Sequence, residues 1–106
     1  MLSKKKRVTK ELFSSIMKKG KILSGSFFVL RYMDQKDPQY AVVAPKSVSK
    51  GAVLRNKLRR RGYSAIKSFS IKSGAGIFFY KKNTSKASFQ EIKDDIGGLL
   101  KKVGVL

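Results

Sequence analysis

The chain has 106 residues, 42% of them hydrophobic, and carries 25 Lys and Arg against six acidic residues, for a net charge of +19. That length and apolar content suit one small core, so the whole chain, 1–106, reads as a single domain rather than a disordered basic tail. With no Cys and no His, zinc fingers, thiol nucleophiles, Ser-His-Asp triads and imidazole acid–base chemistry are excluded.

A compact domain this basic repels itself unless something anionic neutralises it. Nucleic acid fits best, because each neutralised phosphate releases a counterion and so favours binding. No apolar run approaches the ~18 residues of a membrane span. No apolar signal region follows the basic Lys4-Lys5-Lys6-Arg7. The expectation is a cytoplasmic protein with no membrane partner and no small-molecule substrate.

In chain order, residues 1–8 read as a flexible basic arm. Thr9 caps a helix with Glu11 in its first turn, where the helix dipole favours an acid. Leu12, Phe13, Ile16 and Met17 repeat at helical spacing, and Gly20 after Lys18-Lys19 stops the helix. Ser24–Met33 is rich in β-formers and reads as a strand. Asp34-Gln35-Lys36-Asp37-Pro38 is a turn cluster, and Tyr40–Ala44 reads as the returning strand of a hairpin, ended by Pro45.

Lys50–Phe69 is the second helix. At ~100° per residue, Leu54, Leu58, Gly62, Ala65 and Phe69 share one face, the core face. Asn56, Lys57, Arg60 and Lys67 lie largely opposite, with Arg55 and Arg59 at one edge of the apolar stripe. Ile71–Lys82 holds another strand, with Gly74-Ala75-Gly76 leading into Ile77-Phe78-Phe79-Tyr80. Ser88-Phe89-Gln90-Glu91 fits a capping box, opening a helix whose apolar residues are Phe89, Ile92, Ile96, Leu99, Leu100 and Val103. Gly97-Gly98 weakens it. The order predicts an α+β fold, an α-β sandwich in which three helices pack on a central, mostly antiparallel sheet.

The chemistry concentrates in the basic helix. Arg55, Asn56, Lys57, Arg59, Arg60 and Arg61 stand in a fixed array, and Arg grips phosphate with two parallel hydrogen bonds. The segment from Pro45 to Ala52, with Lys46 and Lys50, joins a strand to the helix N-terminus, where free backbone N–H groups favour anions. It is not a Walker loop, which needs Gly-x-x-x-x-Gly-Lys-Ser/Thr. Single-stranded RNA stacks bases on exposed rings beside basic side chains. Strand alternation sends Phe27 and Phe28, and likewise Phe78 and Phe79, to opposite faces, leaving open which ring of each pair is exposed. The acidic residues form no catalytic pair. No catalytic residue is expected in the protein, and no metal held by its side chains alone.

Ala52-Val53-Leu54-Arg55-Asn56-Lys57-Leu58-Arg59-Arg60 resembles the Arg-Asn-Arg segment of the bacterial ribonuclease P protein family. Lys46-Ser47-Val48-Ser49-Lys50 looks like that family's Ser-Lys-Lys region. Arg7-Val8, Phe13, Met17 and Lys19-Gly20 match its opening helix, and Phe28-Val29-Leu30 the strand that follows. Lys57 stands where the motif has Arg, Ser47 where Lys is common, Arg61-Gly62 where Arg-Glu often follows, and Met17 where a second aromatic is common.

The resemblance implies a left-handed βαβ crossover, a rare feature. It implies a protein cofactor of a ribozyme, whose catalytic RNA uses Mg²⁺ to remove the 5′ leader of precursor tRNA; the protein alone would not cleave. Arg55, Asn56, Lys57, Arg59, Arg60 and Arg61 would contact the catalytic RNA with Lys46 and Lys50 nearby. Phe13, Met17 and the Phe28 strand would line a cleft for the leader. A structural RNA-binding protein of ribosomal type is the alternative, and a DNA-binding architectural protein a third reading.

Overall fold

The computed structural model describes residues 8–82, 84 and 86–106. Its elements are α1 (Lys10–Lys19), β1 (Lys21–Ser24), β2 (Phe28–Met33), β3 (Gln39–Val43), α2 (Ala52–Lys67), β4 (Ala75–Tyr80) and α3 (Phe89–Lys102). Most of the expected basic arm lies outside the described residues. Its last residue, Val8, is half-buried and packs on the apolar cluster around Ile16.

Both expected N-caps form. The Thr9 hydroxyl accepts from the Leu12 N–H at 3.2 Å, and Ser88 and Glu91 complete a reciprocal capping box. α2 is shorter at both ends than Lys50–Phe69, since Gly51 is its N-cap and Ser68 its C-cap. Phe69 still packs against the core from just beyond the helix end.

The sheet corrects two expectations. Its order is β1-β2-β4-β3, so β2 and β3 are not a hairpin; β4 lies between them, antiparallel to β2 and parallel to β3. Ala75 pairs with Met33 on one side and Gln39 on the other. The 34–38 turn therefore spans two strand spacings, roughly 9.5 Å, instead of closing a ladder. Gly74 makes this possible. It sits at φ +92°, where a Cβ is disfavoured. It donates its N–H to Gln35 O at 2.8 Å and accepts from Gln39 N–H at 3.0 Å. The physical reason for the order is burial, because every residue of β4 except Phe79 is buried and such a strand belongs inside a sheet.

The second correction is an additional strand. Ser24–Met33 is not continuous: β1 and β2 form the true hairpin, turned over residues 25–27. The Asp95 carboxylate on α3 draws that turn together, accepting N–H bonds from Ser26 at 2.7 Å, Phe27 at 2.9 Å and Phe28 at 3.0 Å. The acceptor comes from 67 or more residues away, so no local pattern announces the break.

Two apolar clusters flank the sheet. Phe28, Leu30, Tyr32, Tyr40, Val42, Phe78 and Tyr80 meet α2 and α3 on one side. Ile16, Ala75 and Ile77 form a smaller cluster under α1, with Val8, Leu12, Met17, Met33, Ala41, Val43 and Phe79 around them. Among the described residues no helix is long and apolar enough to cross a membrane.

Candidate nucleic-acid interface

α2 lies against β3 and α3, and its seat is set by Gly62. A Cβ there would stand 2.7 Å from Val42 Cγ1, so only glycine lets the helix come this close. The Tyr80 hydroxyl donates to Leu58 O at 2.6 Å, pinning the same turn from below. Burial pushes the Tyr80 hydroxyl well above the ordinary phenol range, the positive charge of Arg61 opposing this only in part. The core face of α2 is thus committed to packing, and the charges are borne on a fixed rod.

The expected basic residues do not all share one face. Arg55, Asn56 and Arg59 line a space of about 360 Å³ with Val42, Val43 and Ala44 of the β3 edge. Asn56, Lys57, Arg59, Arg60 and Arg61 are exposed, as are Lys46 and Lys50 in the preceding loop. Arg61 lies about 160° around the helix from Arg59 at 100° per residue, on the flank whose charge reaches Tyr80. The array therefore wraps the helix, with Arg55, Asn56 and Arg59 on the strand side. Arg55 differs from its neighbours in being half-buried, with Nη1 donating to Ser49 O and Lys50 O, each at 2.9 Å.

Four of the six acidic side chains are spent on hydrogen bonds within the fold. Asp34 accepts from the Tyr32 hydroxyl at 3.0 Å, Asp94 from Gln90 at 2.8 Å, Asp95 from the β1–β2 turn, and Glu91 closes its cap. Among the described residues no group of three or more His, Cys, Asp or Glu could hold a metal ion.

Phe28 does not face α1, against the expectation that it lines a cleft there. Its ring is 0% exposed, edge-on to Phe78 at 5.7 Å and 4.3 Å from the Tyr80 ring, on the α2–α3 side. Register places Val29 opposite Phe79, and Phe79 opposite Val43. These three form a half-exposed row on the α1 side, together with Phe13, 37% exposed, and the partly buried Met17 on the helix. Arg31, also on that side, donates from Nη1 to Met17 O at 3.3 Å and holds the last turn of α1 on the sheet.

The structure thus settles Phe79 as the more exposed ring of its pair and adds Val29 and Val43 beside it, which the sequence reading did not single out. The signal was present in Arg31. A charged residue in phase with Val29 marks the less covered face, so Phe28, Leu30 and Tyr32 belong to the other. The half-exposed row ends at Val43, which also lines the space under Arg55, Asn56 and Arg59, so an apolar floor runs to a cationic rim.

A family model described as Ribonuclease P matches residues 2–104. The chain is 26% identical over 111 residues to a ribonuclease P protein component from Syntrophomonas wolfei, covering 99% of this chain and 92% of that one. It is 29% identical over 103 residues to the corresponding component from a Pseudanabaena species, covering 92% and 89%. Its fold is similar to that of the RNase P protein from Staphylococcus aureus, with TM-score 0.80 at 24% identity over 100% of this chain and 95% of that one. It is also similar to the protein from Thermotoga maritima, with TM-score 0.79 at 22% identity over 91% and 96%.

Proposed function

Since the chain belongs to the ribonuclease P protein family, and is thereby the protein subunit of an endoribonuclease of tRNA processing, we propose that it docks α2 on the catalytic RNA and holds the 5′ leader of precursor tRNA beside α1. The observation that carries this reading is the junction at β3. There Val43 belongs at once to the half-exposed row with Val29 and Phe79 and to the space lined by Arg55, Asn56 and Arg59.

An extended single strand needs ring and aliphatic surface for its bases and cations for its phosphates, without sequence preference. Phe13, Met17, Val29, Phe79 and Val43 supply the first. Asn56, Lys57, Arg59, Arg60 and Arg61, with Lys46 and Lys50, supply the second and the contact to the larger RNA, and Arg55 stands among them at the start of α2.

The protein contributes no acid, base or nucleophile in this reading. It positions the substrate and lowers the electrostatic cost of bringing two polyanions together. Bound with the RNA, Mg²⁺ would supply charge neutralisation and an activated water for phosphodiester hydrolysis. The working compartment is the cytoplasm.

Reconstitution with the cognate RNA at low and high Mg²⁺ tests the proposal. The protein alone leaves precursor tRNA intact, and adding it to the RNA restores leader removal at low Mg²⁺, where the RNA by itself is slow. Equal cleavage with and without protein at low Mg²⁺ would overturn it. Arg60→Ala reduces the slope of log affinity against log salt by about one unit, as one lost phosphate contact requires.

A further inference from the structure

Arg55 has a different situation from every other cation of α2. The loop before the helix carries Lys46 and Lys50, both exposed, on either side of the buried Val48. Val48 fixes the middle of this loop, its N–H donating to Pro45 O at 3.0 Å. Gly51, the N-cap, makes no side-chain capping bond, so the last residues before the helix need another anchor.

Arg55 is that anchor. One nitrogen, Nη1, donates to the carbonyls of both Ser49 and Lys50, and the Arg55 N–H donates to Gly51 O at 3.2 Å. The Gly51 N–H in turn donates to Ser49 Oγ at 3.2 Å. The Arg55 side chain thus holds two consecutive loop carbonyls, while its backbone bond to Gly51 is the first of the helix and would be made by any residue there. With Nη1 engaged by two carbonyls, the end-on Nη1–Nη2 fork that grips a phosphate competes with the loop, while the Nε–Nη2 edge points away from these bonds. The exposed Lys57, Arg59 and Arg61 make no such contact with the loop.

We propose that Arg55 is a positioning residue: its side chain fixes the 49–50 backbone so that Lys50, with Lys46 beyond the Val48 pin, is presented to RNA in one array with α2. This rests on the RNA-docking reading above. Removing Arg55 then weakens binding chiefly by loosening the lysines, and its effect depends on their being there.

A double-mutant cycle with an RNA-free control decides the matter. In the free protein, Arg55→Ala speeds amide hydrogen exchange at residues 48–51, while Arg60→Ala does not, and neither shifts the thermal midpoint appreciably. In RNA affinity, Arg55→Ala costs roughly tenfold in the native background and under about twofold in a Lys46→Ala/Lys50→Ala background. Arg60→Ala costs the same in both.

Unchanged exchange at 48–51 would overturn the proposal, as would an equal Arg55→Ala cost in both backgrounds, which marks a direct RNA ligand. If Arg60→Ala weakens binding and Lys46→Ala/Lys50→Ala does not, the positioning role is wrong and the docking reading stands. If neither weakens binding, the docking reading falls and the positioning role with it.

Discussion

The two faces of the sheet are built from alternate residues of the same strands, yet they have become different materials. On the α2–α3 face, Phe28, Leu30, Tyr40, Val42, Phe78 and Tyr80 are all buried. The tyrosine hydroxyls there each have a fixed partner: Tyr40 donates to Ser73 O at 2.7 Å and Tyr80 to Leu58 O. On the α1 face a ten-residue helix covers β2 and β4, and Val29, Val43 and Phe79 stay half-exposed. Two helices over a sheet leave no room for a ligand, whereas one short helix leaves a floor. The difference teaches that dense packing has been assigned to one face and half-exposed apolar surface to the other, with Gly62 and Arg31 setting how closely each helix sits.

The sharpest test of that division compares adjacent rings of β4. Phe78→Ala, on the buried face, is expected to cost about 3–5 kcal/mol in denaturant unfolding. Phe79→Ala is expected to cost well under half of that, while lowering affinity for leader-bearing substrate relative to mature tRNA by about 1–3 kcal/mol. Equal destabilisation by the two substitutions would erase the distinction between the faces.

Next in size is Asp95→Ala. It strands three N–H groups of the β1–β2 turn and should cost about 2–3 kcal/mol. Faster hydrogen exchange at Ser26–Phe28 would localise the loss to the hairpin rather than to α3.

The glycines of the helices on the buried face should separate by sign. Gly62→Ala forces α2 off Val42 and is expected to destabilise by about 1–3 kcal/mol, despite alanine's higher helix propensity. Gly98→Ala meets nothing within 4 Å and should stabilise by about 0.5–1 kcal/mol. Thermal melts of the two variants moving in the same direction would contradict the packing argument.

The smallest effect is with pH. Burial holds the Tyr40 and Tyr80 hydroxyls above the ordinary phenol range, so the folded state favours the protonated form. Their contribution is fully present below the unfolded phenol pKa of about 10 and is lost as pH rises beyond it. Tyr80→Phe is expected to cost about 1 kcal/mol at neutral pH and to flatten the decline in urea midpoint between pH 9 and pH 11.

Local signals determined much of this molecule. Thr9 and Ser88 place two helix starts because a capping side chain acts within three residues. The apolar stripe of Leu58, Gly62 and Ala65 orients α2, because helical period is a property of the chain itself. Net charge and the unbalanced run from Arg55 to Arg61 pointed to a polyanion, and the Arg-Asn-Lys setting pointed to the family.

Tertiary structure decided what depends on distant partners. The β1–β2 turn exists where Asp95 gathers its N–H groups. β2 and β3 are parted because β4, the more apolar strand, occupies the interior. Phe28 turned to the α2–α3 face, and Phe79 stayed half-exposed on the α1 face, because two helices rather than one cover the Phe28 side. The basic helix itself was legible from its first arginine, but the loop bonds of Arg55 were not, because backbone carbonyls leave no mark in a side-chain pattern.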